Sequence, residues 1–390
     1  MKILQAIDVY LPDTDGVINC VNNYSLNLVE KSEVTVMCPK NKKGYEDNFP
    51  YNTIRCKSLH IPILNQYYGL PKLDFKFKKE LENSDFDIVH LHSPFGMAKQ
   101  AIKIARKKHI PVVATFHSNM RQIFESIFHS KFIADKICKQ FGRIYNKCDE
   151  VFVCSPKVEE QLRSYGYNKK VTYIPFGTDF NKCETIEENS KLANEQFGIK
   201  EKELVFIFVG RVMKLKRVDF ILDALKIVKN NSINFKFYIV GKGAELNKLK
   251  KRAKKLEFTD EEVIFTGFLP REQFPLLFSR ADILLFPSIY DNFGLVKVEG
   301  AAYETAGVFV KDTCAGFDIS HGENGFLTDN TVEDFAATII KAVKDYDRLK
   351  TIGKNAKDTL YINWKDCTDV LYDNYKRIID EYKVKNDNQK

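Results

Sequence analysis

The sequence predicts an α/β protein made of two doubly wound, Rossmann-like domains that face each other across a cleft. Three observations predict it. Short apolar runs of strand length alternate with segments of helical period; the alternation lapses once, around 181–191, and then restarts; and 390 residues exceed what one hydrophobic core ordinarily holds. The expected boundaries are 1–178 for the first domain and 179–364 for the second, with 365–390 a C-terminal helix crossing back to the first.

In the first half, Lys2–Ile7, Val34–Cys38, Ile88–His92, Val112–His117, Val151–Ser155 and Val171–Ile174 read as short buried strands. Gly16–Val29, Gly96–Lys108, the long Met120–Cys148 segment and Lys157–Tyr165 carry apolar residues three and four apart, as helices packed on a sheet require. A polar, acidic stretch without strand character, Asn181–Lys191, separates the halves. The second series has strands at Leu204–Val209, Phe235–Val240, Val263–Phe265, Ile283–Phe286 and Val308–Val310, and helices at Val218–Lys229, Ala244–Leu256, Arg271–Ser279 and Phe293–Thr305. Further helices are expected around Val332–Tyr346 and Thr368–Tyr382. Two such domains make an interdomain ligand site the natural expectation.

Apolar residues at 44% and charged residues at 29% fit a globular chain and exclude a disordered or fibrous one. Nine scattered cysteines, without Cys-x-x-Cys spacing, predict reduced thiols and no tetrahedral metal site. The run Met1–Asp8 is too short for a secretory signal, and no stretch reaches the about 20 apolar residues of a membrane span. A cytoplasmic protein, soluble or peripheral on the inner membrane face, is therefore expected. The formal charge of +8 is uneven: residues 99–147 carry 11 cations against Glu125 and Asp135. Such a segment attracts phosphate groups or an anionic bilayer, or is a solvated pair of helix faces. No nucleic-acid partner is expected.

The richest motif, Pro287-Ser288-Ile289-Tyr290-Asp291-Asn292-Phe293-Gly294-Leu295-Val296-Lys297-Val298-Glu299, follows a strand and feeds a helix. The first free amides of that helix, near Gly294 and Leu295, suit anionic oxygens. Asp291 and Glu299 then bracket the start of the helix and can reach one elongated ligand, although an Asp there is also an ordinary cap. Phe208-Val209-Gly210-Arg211-Val212-Met213-Lys214-Leu215-Lys216 is a second turn after a strand, where Arg211 and Lys216 suit a diphosphate. Val240-Gly241-Lys242-Gly243-Ala244 is a third, its glycines Gly241 and Gly243 open to a nucleoside. In the first half, Asp13-Thr14-Asp15-Gly16-Val17 places Gly16 where backbone can close over a phosphate or sugar, and His117 ends a strand on the side where open sheets bind ligands. His90 and His92 share a strand face without a third metal ligand nearby.

Taken in order, these motifs resemble glycosyltransferase family 4, a large group of retaining glycosyltransferases of the GT-B fold. Asp291–Glu299 is similar to the family's Glu-x7-Glu motif with Asp in first place; Gly210-Arg211 with Lys216 resembles its donor-phosphate motif. Ile174-Pro175-Phe176-Gly177-Thr178-Asp179 resembles its interdomain segment, and the stretches 87–95 and 111–117 resemble paired segments of bacterial diacylglycerol glucosyltransferases. The resemblance implies a nucleotide-diphosphate hexose donor, a UDP-sugar foremost, bound mainly by the second domain, and a lipid or glycan acceptor bound by the first. Arg211 and Lys216 would neutralise the diphosphate, Glu299 would contact the ribose, and Asp291 would hold the transferred sugar. Amides of Phe293, Gly294 and Leu295 would add contacts, with Gly16 and His117 approaching from the first domain. It implies no cofactor and no metal: fixed cations stabilise the leaving diphosphate, which itself takes the acceptor's proton on the same face. A double displacement with Asp291 as nucleophile stays open.

The pattern departs from the family at several points. Asp291 is one methylene shorter than Glu, Asp15-Gly16 replaces a Gly-Gly pair, Gly300 and Glu304 follow the second carboxylate, and the glycine-rich donor loop survives only as Ala315-Gly316-Phe317-Asp318. Three other readings compete: a metal-dependent transferase using Asp85-Phe86-Asp87, a sugar-nucleotide epimerase of the same architecture, and a non-catalytic nucleotide-sugar-binding subunit. For the acceptor side, Met120–Cys148 places Ile123, Phe124, Ile127, Phe128, Phe132, Ile137, Phe141 and Ile144 among lysines and arginines, a composition suited to an interfacial helix. The stretch Tyr67-Tyr68-Gly69-Leu70-Pro71 reads as an acceptor loop near a bilayer.

Overall fold

The structure, a computed structural model, describes all residues except 14, 42–44, 62–65, 118–119 and 388–390, and all of their side chains except 123, 126 and 271. The chain divides into two compact units, Met1–Phe176 with Trp364–Lys390, and Gly177–Asn363. Thr14 of the Asp13–Val17 turn and the side chain of Ile123 lie outside the described residues.

The first unit runs β1 (Lys2–Ala6), α1 (Gly16–Leu28), β2 (Glu33–Pro39), β3 (Asn52–Cys56), β4 (Ser58–Ile61), β5 (Gln66–Gly69), α2 (Phe75–Asn83), β6 (Ile88–Leu91), α3 (Gly96–Lys108), β7 (Val112–Thr115), α4 (Met120–Phe128), α5 (Lys131–Tyr145), β8 (Glu150–Val153), α6 (Pro156–Ser164) and β9 (Val171–Tyr173). Seven strands form one sheet in the order β3-β2-β1-β6-β7-β8-β9, every pair parallel. Its central strands are buried along almost their whole length, as helices on both faces of a parallel sheet require. Strand order reverses between β1 and β6, so loops leaving their carboxyl ends flank the crevice where such sheets take ligands.

Two expectations are corrected here, and one strand is added. Met120–Cys148 is two helices: His129 adopts φ +49°, and Ser130 caps α5 by accepting from the Ile133 amide at 3.4 Å. Tyr67–Gly69 is no loop but most of β5, paired antiparallel with β4. The edge strand β3, with its mixed burial, carries too few apolar residues to stand out as a strand.

The second unit runs α7 (Ile186–Phe197), β10 (Leu204–Val209), α8 (Val218–Asn230), β11 (Phe235–Val240), α9 (Leu246–Lys255), β12 (Val263–Gly267), α10 (Phe274–Arg280), β13 (Ile283–Phe286), α11 (Leu295–Ala301), β14 (Ala306–Val310), β15 (Phe326–Thr328), α12 (Val332–Lys344) and α13 (Tyr346–Thr359). Its six parallel strands lie in the order β12-β11-β10-β13-β14-β15. The reversal point lies between β10 and β13, whose following loops carry the two richest motifs. The acidic stretch near 185 is helical: Glu187 and Glu188 sit in the first turn of α7, where they complement its dipole, and Gly198 closes it at φ +61°. Helix α11 is much shorter than expected, starting after Gly294 at φ +72° and followed by Glu304 at φ +59°; Glu304 holds Lys357 at 3.0 Å and so serves this turn.

The last helix, α14 (Trp364–Asp387), packs on α1 in the first unit. Trp364 meets Tyr24 edge-on at 5.5 Å, and the Tyr375 hydroxyl lies 2.5 Å from His90 Nδ1. His90 Nε2 is 2.7 Å from the Thr115 hydroxyl, so a helix, β6 and β7 are pinned through one imidazole. Burial holds His90 and His92 well below the ordinary imidazole range. Both stay neutral when folded but take protons below about pH 6.5 when unfolded, so their stabilising contribution is complete above that pH and is lost as pH falls. The melting temperature should therefore fall steadily from pH 7.5 to 5. Tyr375→Phe, which leaves His90 Nδ1 without its partner, should cost about 1–3 kcal/mol in denaturant titration at pH 7.5; a flat pH profile or a neutral Y375F would contradict this account.

Candidate functional site

The loops after β10 and β13 lie side by side because their strands are neighbours. Lys216 Nζ reaches Asp291 Oδ1 at 2.5 Å, with both side chains about four-fifths covered. The other carboxylate oxygen, Oδ2, is buried and takes no hydrogen bond from any described group, a vacancy that buried polar atoms seldom tolerate. The two residues expected to meet the diphosphate and the sugar thus hold each other at one point. Arg217 ties the same loops together: at φ +56° its guanidinium lies 4.1 Å from the Phe220 ring centroid and donates to the Pro287 carbonyl at 3.0 Å. Arg211 is exposed on the first of these loops.

The glycines of the third turn lie against the protein's own backbone. A Cβ on Gly241, which adopts φ +141°, would fall 1.9 Å from the Gly210 carbonyl oxygen; one on Gly243 would fall 2.1 Å from that of Val212. Val212 N donates to the Lys242 carbonyl at 2.9 Å. Glycine is demanded here by the protein's own backbone, which seats the turn after β11 against the turn after β10.

At α11, a Cβ on Gly294 would stand 3.1 Å from Ala315 Cβ and 3.3 Å from the Phe286 ring. Leu295 opens the helix, Phe293 is buried just before it, and Glu299, half-buried, sits at its fifth position. The unit therefore gathers Arg211, Lys216, Gly241, Gly243, Asp291, Phe293, Gly294, Leu295 and Glu299 at the carboxyl end of one sheet. Gly16 and His117 belong to the other unit.

Lys297 is the residue that sequence reasoning missed. Its ammonium is buried, donates to the Ala315 carbonyl at 3.1 Å and to the Asp318 carboxylate, and lies 4.6 Å from the Phe293 ring centroid. It bolts the 315–318 loop to the start of α11. The signal was a charge within the apolar run Leu295-Val296-Lys297-Val298, since a buried ammonium demands a carboxylate partner.

In the first unit, Gly16 is the first residue of α1, and a Cβ there would meet open space. Asp15 caps the helix, accepting from Ile18 N at 2.8 Å. His117 follows β7 and stands 3.0 Å, Nε2 to Nδ1, from His92, whose Nε2 lies 2.9 Å from Gln5 Oε1. The tautomers follow from the chain's other end. Ser25 Oγ donates to the Val21 carbonyl and accepts from Gln5 Nε2, which turns Gln5 Oε1 towards His92. His92 therefore donates from Nε2 and accepts at Nδ1 from His117 Nε2–H. Burial pulls the His117 imidazole down to about 3, so it is neutral at physiological pH. Asp85-Phe86-Asp87 serves the fold: Asp87 accepts from the Lys2 amide at 2.6 Å, and Asp85 lies 3.8 Å from Lys108.

The comparisons with known proteins agree with this geometry. The profile of Glycosyltransferase Family 4 matches residues 14–182, and that of Glycosyl transferases group 1 matches residues 189–359. The chain is 26% identical to an alpha-monoglucosyldiacylglycerol synthase of Acholeplasma laidlawii over 371 residues, 92% of each chain. It is also 26% identical to the enzyme so named in Streptococcus pneumoniae, over 78% of this chain and 70% of that one. Among solved structures, Anabaena Alr3699/HepE in complex with UDP and glucose shares the fold, with a TM-score of 0.72 at 18% identity over 97% of this chain and 100% of that one. With a glycosyltransferase profile on each of two doubly wound units, the chain belongs to the GT-B glycosyltransferases acting on nucleotide sugars, Glycosyltransferase Family 4 in its first half and Glycosyl transferases group 1 in its second.

Proposed function

We propose that this protein is a retaining, metal-independent hexosyltransferase that moves a hexose from a UDP-sugar to a lipid or glycan hydroxyl in cell-envelope glycolipid or polysaccharide synthesis. The second unit holds the donor and the first the acceptor. The observation that carries the reading is the Lys216–Asp291 pair with its unpartnered Asp291 Oδ2. A diphosphate competes for the ammonium, and a sugar hydroxyl donates to the waiting oxygen. The names of the Acholeplasma and Streptococcus relatives support a glycolipid product, and the ligands of the Anabaena protein support UDP and glucose.

In the transfer step, the bond from the sugar's anomeric carbon to the diphosphate oxygen breaks while the acceptor oxygen bonds to that carbon on the same face. The hydroxyl proton passes to the departing phosphate oxygen. Negative charge grows on the diphosphate, and Arg211, Lys216 and the amides near Gly294 and Leu295 stabilise it without reorganising. Glu299 takes the ribose hydroxyls. A carboxylate held by an ammonium at 2.5 Å is a weak nucleophile, which favours this front-face route over double displacement through Asp291. Neutral His117 and Gly16 serve the substrates from the first unit.

Peripheral attachment to the inner membrane face completes the reading. Ile127, Phe128, Phe132 and Ile133 are exposed on α4 and α5, Phe132 by 77%, beside Lys131, Lys136, Lys139 and Arg143. No helix among the described residues is long and apolar enough to cross a membrane.

Two experiments test this. Lys216→Ala and Arg211→Ala should each lower transfer from UDP-glucose by about 100-fold or more and weaken UDP binding in calorimetry, while the wild type keeps its rate in excess chelator; unchanged charge variants would end the donor assignment, and chelator inhibition the metal-independent one. The double variant Phe132→Ser/Ile127→Ser should lose about tenfold in co-sedimentation with phosphatidylserine vesicles and keep its UDP affinity. Wild-type protein left in the supernatant at low salt would refute attachment.

A further inference from the structure

The first unit encloses a cavity of about 220 Å³ above the carboxyl ends of β1, β6 and β7. It falls short of the ~300–1,000 Å³ typical of sites that enclose a drug-sized ligand, so it takes one ring or one glycerol unit. Tyr68 of β5, Phe95 and Met120 contribute apolar wall. Its polar lining is Asp8, Asp15, Gln66, Ser93, His92 and His117; no lysine or arginine lines it among the described residues. This contrasts with the loops after β10, where Arg211, Lys214, Lys216 and Arg217 crowd into seven positions of the sequence.

Both carboxylates are fixed in place. Asp8 accepts from the Met97 amide at 2.9 Å through Oδ1 and from the Ser93 hydroxyl at 2.7 Å through Oδ2, and Asp15 is the cap of α1. Burial pushes the Asp8 carboxyl up to about 6, which leaves it charged at neutral pH, and the two histidines are neutral there. Carboxylate lone pairs receive hydroxyl hydrogens, whereas a phosphate entering this space would lose its water against two anions and meet no counter-charge.

We propose that this cavity receives the hydroxyl-bearing end of an uncharged acceptor, a glycerol or sugar moiety, and rejects an acceptor phosphorylated at that end. The proposal rests on the glycosyl-transfer reading and adds the acceptor's charge class to it. It also gives Tyr68 a place in the site from within a strand.

The test uses acceptor pairs that differ by one phosphate. Monooleoylglycerol and its phosphorylated counterpart lysophosphatidic acid, both of which keep a free hydroxyl, are presented in phosphatidylcholine vesicles, and methyl α-glucoside and methyl α-glucoside 6-phosphate in solution, each with radiolabelled UDP-glucose; UDP binding by calorimetry is measured separately. The expected result is transfer to the uncharged member of the lipid or the sugar pair, whichever source is used, about 100-fold above its phosphorylated partner. Val17→Lys, which places a cation in the lining, should shrink that ratio at least tenfold and leave UDP affinity unchanged. Equal or preferred use of the phosphorylated member overturns the proposal, as does an unaltered ratio in V17K. UDP binding and donor hydrolysis without transfer to either uncharged acceptor overturns it while sparing the donor site; loss of UDP binding as well defeats the glycosyl-transfer reading itself.

Discussion

One ion pair organises the loops at the carboxyl end of the second unit's sheet. Lys216 and Asp291 come from the loops after β10 and β13, strands that are neighbours in space but separated by two βα units in sequence. Their contact sets the position of a cation and a carboxylate at the reversal point of the sheet. It leaves one carboxylate oxygen buried without a hydrogen bond from any described residue. Around it, Arg217 clasps Pro287, and Lys297 clasps the 315–318 loop, so the pair sits on rigid supports. Preorganisation of this kind is what lets fixed charges act on a leaving diphosphate without first moving.

Close backbone approach plays the same part where side chains do not. The turns after β10 and β11 are held so near each other that Gly241 and Gly243 admit no Cβ. Their glycines therefore set how closely these two turns pack. In the first unit the equivalent support is a one-way hydrogen-bond chain, from His117 through His92, Gln5 and Ser25 to a helix carbonyl. It fixes the tautomers, while burial keeps the two imidazoles neutral.

Much of this was legible beforehand. The strands that proved central were visible as apolar runs because burial on both faces leaves no room for polar residues. The Asp291–Glu299 and Gly210–Lys216 motifs stood out because they follow such strands directly. Elements at the margins were hidden. β3 and the β4–β5 hairpin expose too much surface to show a period, and α7 reads as a polar stretch because Ala193 is its one fully buried described residue. The break at His129 depends on a single left-handed residue followed by a serine cap, a local event that a continuous apolar stripe conceals.

The amino-acid order by itself determined the two doubly wound units and the motifs that follow their strands, because hydrophobic period and turn chemistry are local properties of the chain. Only the tertiary structure decided that Lys216 and Asp291 neutralise each other, that Lys297 needs Asp318, and that Gly241 is required by a carbonyl. Each of these is a contact between segments far apart in sequence, and the distance between such atoms exists only once the sheets have set their strand order.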